Sequence, residues 1–152
     1  MRMQLSEVVL RPIELDDIEA LHSFWNDWTV VEQLGGFRLH ASYKDVEEWT
    51  ELHRRRADEL IWAIADRKQN SCLGHVGLYQ IDHRTQRAEF AICIGEKTSW
   101  GKGIGSEVCT AVLDFGFQQL NLHQVRLSVL ESNSRAIHLY TNIGFRRDGC
   151  LR

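Results

Sequence analysis

At 152 residues the chain is long enough for one compact domain with a layered core and too short for two ordinary enzyme domains. Lys and Arg number 18 against 21 Asp and Glu, a formal net charge of -3, which argues against a nucleic-acid coat protein. No stretch approaches the roughly 18 apolar residues of a membrane-spanning helix, and residues 1–7 lack the apolar core of a secretory leader, so no nucleic-acid or membrane partner is expected. The charge is uneven along the chain. Residues 1–100 carry 12 basic and 17 acidic side chains and residues 101–152 carry 6 and 4, which suits a cationic ligand on the first part and an anionic one on the second.

Val8 to Arg11 reads as a short strand stopped by Pro12, and Asp16-Asp17 then precedes a helical pattern through Ile18, Leu21, His22 and Trp25. From Asn26 to Ala41, large apolar groups (Trp28, Val30, Val31, Leu34, Phe37) mix with Gly35-Gly36. A short helix and a loop are expected there, forming either a ligand-facing wall or simple packing under a loop. Ser42 caps a helix carrying Val46, Trp49, Leu52 and His53 at helical spacing; its acidic start and its Arg54-Arg55-Arg56 finish complement the helix dipole. Leu60–Ala65, Cys72–Tyr79 and Ala88–Ile94 form an antiparallel meander joined by polar turns.

Trp100-Gly101-Lys102-Gly103-Ile104-Gly105-Ser106 follows the third of these strands and opens a helical pattern running to about Leu120. Alternate glycines and a helix start offer close-approaching, unpaired N–H groups, which reads as an anion cradle; a glycine-rich packing turn is the other reading. It is no P-loop, because no lysine followed by serine or threonine comes after the last glycine. It is no dinucleotide fingerprint, because the third glycine and the later acidic residue are missing. Val125–Leu130 reads as a strand, Asn133 caps a helix through Ala136, Ile137, Tyr140 and Ile143, Gly144 ends it, and Phe145 begins an extended segment. The pattern gives a mixed α/β (α+β) sheet covered by helices in a single domain, 1–152. Cys72, Cys93, Cys109 and Cys150 lie far apart and read as reduced thiols of a cytoplasmic protein. No CxxC, HExxH or histidine spacing suggests a metal.

Two segments resemble the GNAT superfamily of acetyl-coenzyme-A-dependent N-acetyltransferases: Gly101-Lys102-Gly103-Ile104-Gly105 after a strand, and Asn133-Ser134-Arg135-Ala136-Ile137-His138-Leu139-Tyr140-Thr141-Asn142-Ile143-Gly144-Phe145, similar to the family's Asn-x-x-Ala-x-x-Leu-Tyr-x-x-x-Gly-Phe pattern. Leu10-Arg11-Pro12, His83-Arg84 through Phe90, and Leu120-Asn121-Leu122-His123 resemble a branch holding polyamine acetyltransferases and ribosomal-protein N-terminal acetyltransferases. The resemblance implies a mostly antiparallel central sheet flanked by helices. It also shows departures: Trp100 stands where the family usually has Gln or Arg, and the turn before Gly101 is one residue longer than in the nearest polyamine enzymes. The sequence stops at Arg152, before the family's usual last strand, which suggests a truncated chain or a homodimer or strand exchange that fills the gap.

By the same resemblance, acetyl-coenzyme A is the cosubstrate, without metal. Its arm would run beside Ile92, Cys93 and Ile94, and its diphosphate would meet Lys102, Gly103, Ile104, Gly105 and Ser106, with Asn133 and Arg135 adding contacts. Tyr140 matches the tyrosine that protonates the leaving sulfur in many relatives. Glu89 is a candidate base or an attractor of a cationic substrate, and Trp28 and Glu32 are candidate substrate contacts. The expected acceptor is a small primary amine, a polyamine first. A protein N-terminus and a nonenzymatic coenzyme- or amine-binding module are the other two readings.

Overall fold

The computed structural model describes residues 2–34 and 40–149. Phe37, Gly35-Gly36, Cys150 and Arg152, named above, lie outside the described residues.

Six strands form one sheet in sequence order: β1 (Met3–Gln4), β2 (Val8–Arg11), β3 (Leu60–Asp66), β4 (Cys72–Asp82), β5 (Arg87–Ile94) and β6 (Gln124–Arg126). All neighbours are antiparallel except β5 and β6, which pair in parallel through Arg87↔Gln124, Ala88↔Val125 and Glu89↔Arg126. A parallel pair needs a crossover, and it is supplied by the helix α4 (Ile104–Gln118), whose apolar stripe Ile104, Val108, Val112 was legible as helical spacing.

The other helices are α1 (Ile18–Trp25), α2 (Trp28–Val31), α3 (Tyr43–Arg54) and α5 (Ser134–Ile143). Strand alternation splits the core between the two faces of the sheet. Val8, Leu10, Ile64, Val76, Leu78 and Phe90 face α4, with α5 at its margin, while Ala63, Cys72 and Cys93 face Leu21, Trp25, Val30 and Val46 of α1 to α3. Start signals read from the sequence act as local chemistry here. Ser42 and Asp45 form a reciprocal capping box on α3, and Asn133 Oδ1 accepts from Ala136 N–H to cap α5.

Besides β4, which runs to Asp82 rather than ending at Tyr79, the strands differ from the expectation at three places. Met3–Gln4 adds a strand too short to show alternation, β6 stops at Arg126 rather than Leu130, and residues 145–149 hold no strand. The reason is pairing. Phe145 N–H donates to Tyr140 O at 3.0 Å and closes the helix end, and residues 127–130 have no ladder with β5.

Candidate active site

The turn after β5 ends in two left-handed residues, Gly101 and Gly103, both at φ 79. Gly103 is the N-cap of α4 and brings no side chain to the helix start, so its first amides are left to an outside acceptor. A Cβ built on Gly103 would meet nothing within 4 Å, so the space above those amides is open. Lys102 and Ser106 are exposed beside it, buried Ile104 anchors the helix, and Gly105 continues it. The Arg135 guanidinium reaches over from α5, its Nη2 3.5 Å from the position of a Cβ on Gly101. Unpaired amides, a helix of four turns and two cations fit a diphosphate.

β5 supplies the second surface. Gly95 N–H donates to Leu73 O at 2.8 Å, so by ladder alternation the N–H and C=O groups of Ile92 and Ile94 project from the opposite edge of the strand. β6 covers that edge only along Arg87–Glu89, so beyond Phe90 it is open to pair with the amides of an extended ligand. Cys93 does not belong to this edge. Its backbone faces β4 opposite His75, and its side chain is buried among α1 to α3, which pushes its thiol up to about 12. One acceptor on the edge is already used, because the Trp100 indole Nε1 donates to Ile94 O at 2.8 Å.

Tyr140 and Glu89 flank the edge from opposite faces. The Tyr140 ring meets Phe90 edge-on at 6.3 Å and Phe145 at 5.9 Å, and burial, with a smaller contribution from Cys109, raises its phenol to about 12. Glu89 is exposed on the α1–α3 face, and among the described residues it forms no ion pair with Arg87 or Arg126. Its neighbour across β4 is Tyr79, whose ring folds over Gly77 and meets His53 edge-on at 6.3 Å; His53 in turn pairs with Glu59. Sequence reading gave Tyr79 and Glu59 no role, since Tyr79 sits in an unremarkable strand pattern and Glu59 in the connection before β3; only the pairing of β4 with β5 and the packing of α3 bring them to the face that bears Glu89.

Trp28 and Glu32 lie exposed at α2, away from the glycine turn in sequence yet tied to it. Asp27, the α2 N-cap, accepts from Thr29 N–H and pairs with Lys97 Nζ of the turn at 2.8 Å, which lowers its carboxyl. At the far end, Asn133 Nδ2 donates to Gln33 O at 3.5 Å. Among the described residues no cluster of three or more His, Cys, Asp or Glu could hold a metal, and no helix is long and apolar enough to cross a membrane.

The family model of the acetyltransferase (GNAT) domain matches residues 7–146. The chain is 30% identical over 149 residues to a spermidine N(1)-acetyltransferase of Vibrio cholerae, covering 96% of this chain and 83% of that protein. It is 31% identical over 149 residues to that of Escherichia coli K12, covering 95% and 75%. The crystal structure of the spermidine N-acetyltransferase from Vibrio cholerae in complex with CoA and spermine superposes with a TM-score of 0.87 at 30% identity, over 97% of this chain and 85% of that one. With the glycine turn, the open strand edge and the capped tyrosine helix each in place, the chain belongs to the GNAT acetyltransferase family.

Proposed function

We propose that the protein transfers the acetyl group of acetyl-coenzyme A to a polyamine or another small cationic primary amine, by direct attack in a ternary complex. The observation that carries this reading is the open edge of β5, which lies between a helix start fit for a diphosphate and the flanking pair Tyr140 and Glu89. The spermidine acetyltransferases to which the chain is similar support the choice of acceptor.

The reaction needs an amine with a free lone pair, a polarised carbonyl and a proton for the departing sulfur. Glu89 takes a proton from the ammonium, directly or through water, or holds the cation in place. As the C–N bond forms, the Ile92 and Ile94 edge orients the arm and donates to the thioester oxygen. The C–S bond then breaks, and Tyr140 delivers the proton to sulfur. Lys102, Arg135 and the amides of residues 103–106 hold the diphosphate, Asn133 supports the arm, and Trp28 and Glu32 belong to the acceptor wall. The reading includes a cytoplasmic protein. It also includes self-association, as a homodimer or by strand exchange; one relative, the Vibrio cholerae spermidine N-acetyltransferase, has a dodecameric structure.

The test is a screen of spermidine, spermine, amino sugars and peptides with free N-termini, read by mass spectrometry together with thiol release. Monoacetylated spermidine or spermine as the main product is the expected result. Acetylation of peptides alone would overturn the acceptor, and coenzyme binding without transfer to any amine would overturn the enzyme reading.

A further inference from the structure

The reversal from β5 into α4 is closed by a bond that neither element needs for its own backbone. Trp100 Nε1 donates to Ile94 O at 2.8 Å and so ties the last residue before the cradle glycines back to the end of the strand, six positions earlier. The span between is fixed at further points. Gly95 and Glu96 N–H both donate to Leu73 O, at 2.8 and 3.1 Å, and Gly95 lies so close to the Phe24 ring that a Cβ would come within 2.0 Å of it. The Trp100 ring is half-buried against the cluster under α1 to α3. An indole is a donor only, held in a rigid bicycle, and can satisfy the carbonyl without offering a competing acceptor.

We propose that Trp100 is a positioning residue for the coenzyme: its bond sets the spacing between the open β5 edge and the Gly101–Ser106 cradle, and withdraws the Ile94 carbonyl from the acceptors the arm can use. The inference rests on the acetyl-coenzyme A reading of those two surfaces. One ligand spans both, so a loose joint between them weakens the whole ligand while leaving the contacts of each part intact. With Ile94 C=O occupied, Ile92 C=O and the amides of Ile92 and Ile94 remain for the arm, which favours a single register. A free carbonyl would permit a second register, displaced along the strand by about 3.3 Å per residue.

The test replaces Trp100 with β-(3-benzothienyl)alanine, which keeps the bicycle and removes only the N–H, alongside Trp100→Phe. Calorimetric titrations use coenzyme A, which spans both surfaces, and adenosine 3′,5′-diphosphate, which reaches only the cradle side. In both variants the Kd of coenzyme A is expected to rise about five- to tenfold, the effect of one hydrogen bond, while that of adenosine 3′,5′-diphosphate stays within about twofold. The KM of the amine is expected to stay unchanged. An unchanged Kd for coenzyme A in the benzothienyl variant would overturn the inference, as would equal weakening of both ligands with a fall in melting temperature. Wild-type protein that binds neither ligand would instead remove the donor reading itself, and this inference with it.

Discussion

Tyr140 keeps its proton because most of its ring is out of water, and the phenolate would have to form beside the Cys109 thiol. The thiols of Cys72, Cys93 and Cys109, buried in the same fold, are pushed up to about 12 as well. Tyr140→Phe is expected to lower turnover by roughly 10²- to 10⁴-fold in single-turnover measurements of thiol release; unchanged chemistry would exclude the acid role. Glu89→Gln separates two roles: a base shifts the acid limb of the rate profile, whereas an attractor raises the amine KM at every pH. His75 has a consequence for stability. It is buried with both ring nitrogens lacking a hydrogen-bond partner, and burial first, then His53, lowers it to about 4. The unfolded chain takes up this proton below about pH 6.5 while the fold refuses it until about pH 4, so stability falls as pH drops through that window. At pH 5 the loss is about 2 kcal/mol. His75→Leu should shrink the drop in melting temperature between pH 7 and pH 5. Tyr140 was legible because a motif surrounds it, whereas His75 was not: a single histidine in an apolar strand carries no sign of what the other layer packs against it.

At the scale of elements, the start of α4 does two jobs that only glycine reconciles. Gly103 holds φ 79 where the chain turns into the helix, and a Cβ there would meet nothing within 4 Å, which leaves room for the proposed diphosphate. Gly103→Ala is expected to raise the KM of acetyl-coenzyme A at least tenfold, since its methyl projects into that space, while the strained φ costs only about 1 kcal/mol of stability in denaturant titrations. An unchanged KM would show that the diphosphate rests elsewhere. Caps and periodicities made α1, α3, α4 and α5 readable from the sequence, since Ser42, Asn133 and Gly144 act locally. The end of β6 was not readable. Val125–Leu130 has the composition of a strand throughout, but a strand is defined by its neighbour, and β5 parts from it after Glu89. The tie from Trp100 to Ile94 was likewise out of reach, because no spacing rule joins an indole to a carbonyl six residues back.

Across the whole molecule, the uneven charge noted along the sequence becomes a difference between regions. Asp16, Glu19, Glu32, Glu47 and Glu48 lie exposed on or beside α1, α2 and α3, which cover the Glu89 face; the exposed Arg54, Arg55 and Arg56 at the end of α3 are paired with Glu51, Asp58 and Glu59, leaving Lys44 as the cation on α3 against them, whereas Lys102 and Arg135 stand at the cradle. Such a field draws a polycation toward one face and a polyanion toward the other. At saturating acetyl-coenzyme A, raising ionic strength from about 0.05 to 0.5 M should increase the KM for spermine several-fold, and by less for a monoamine. Equal responses would mean that the acidic face plays no part in capture.

The single parallel seam bears on how the molecule assembles. β2 to β4 pair only with antiparallel neighbours, and the hairpins linking β3, β4 and β5 close over short turns, whereas β6 joins β5 only after the whole α4 segment has crossed over. The β5–β6 seam is therefore expected to form late in folding and to open early on unfolding. In native-state hydrogen exchange, amides of Gln124 to Arg126 should exchange through low-energy openings while those of β3 and β4 wait for global unfolding. Mild denaturant would then silence catalysis before the meander melts.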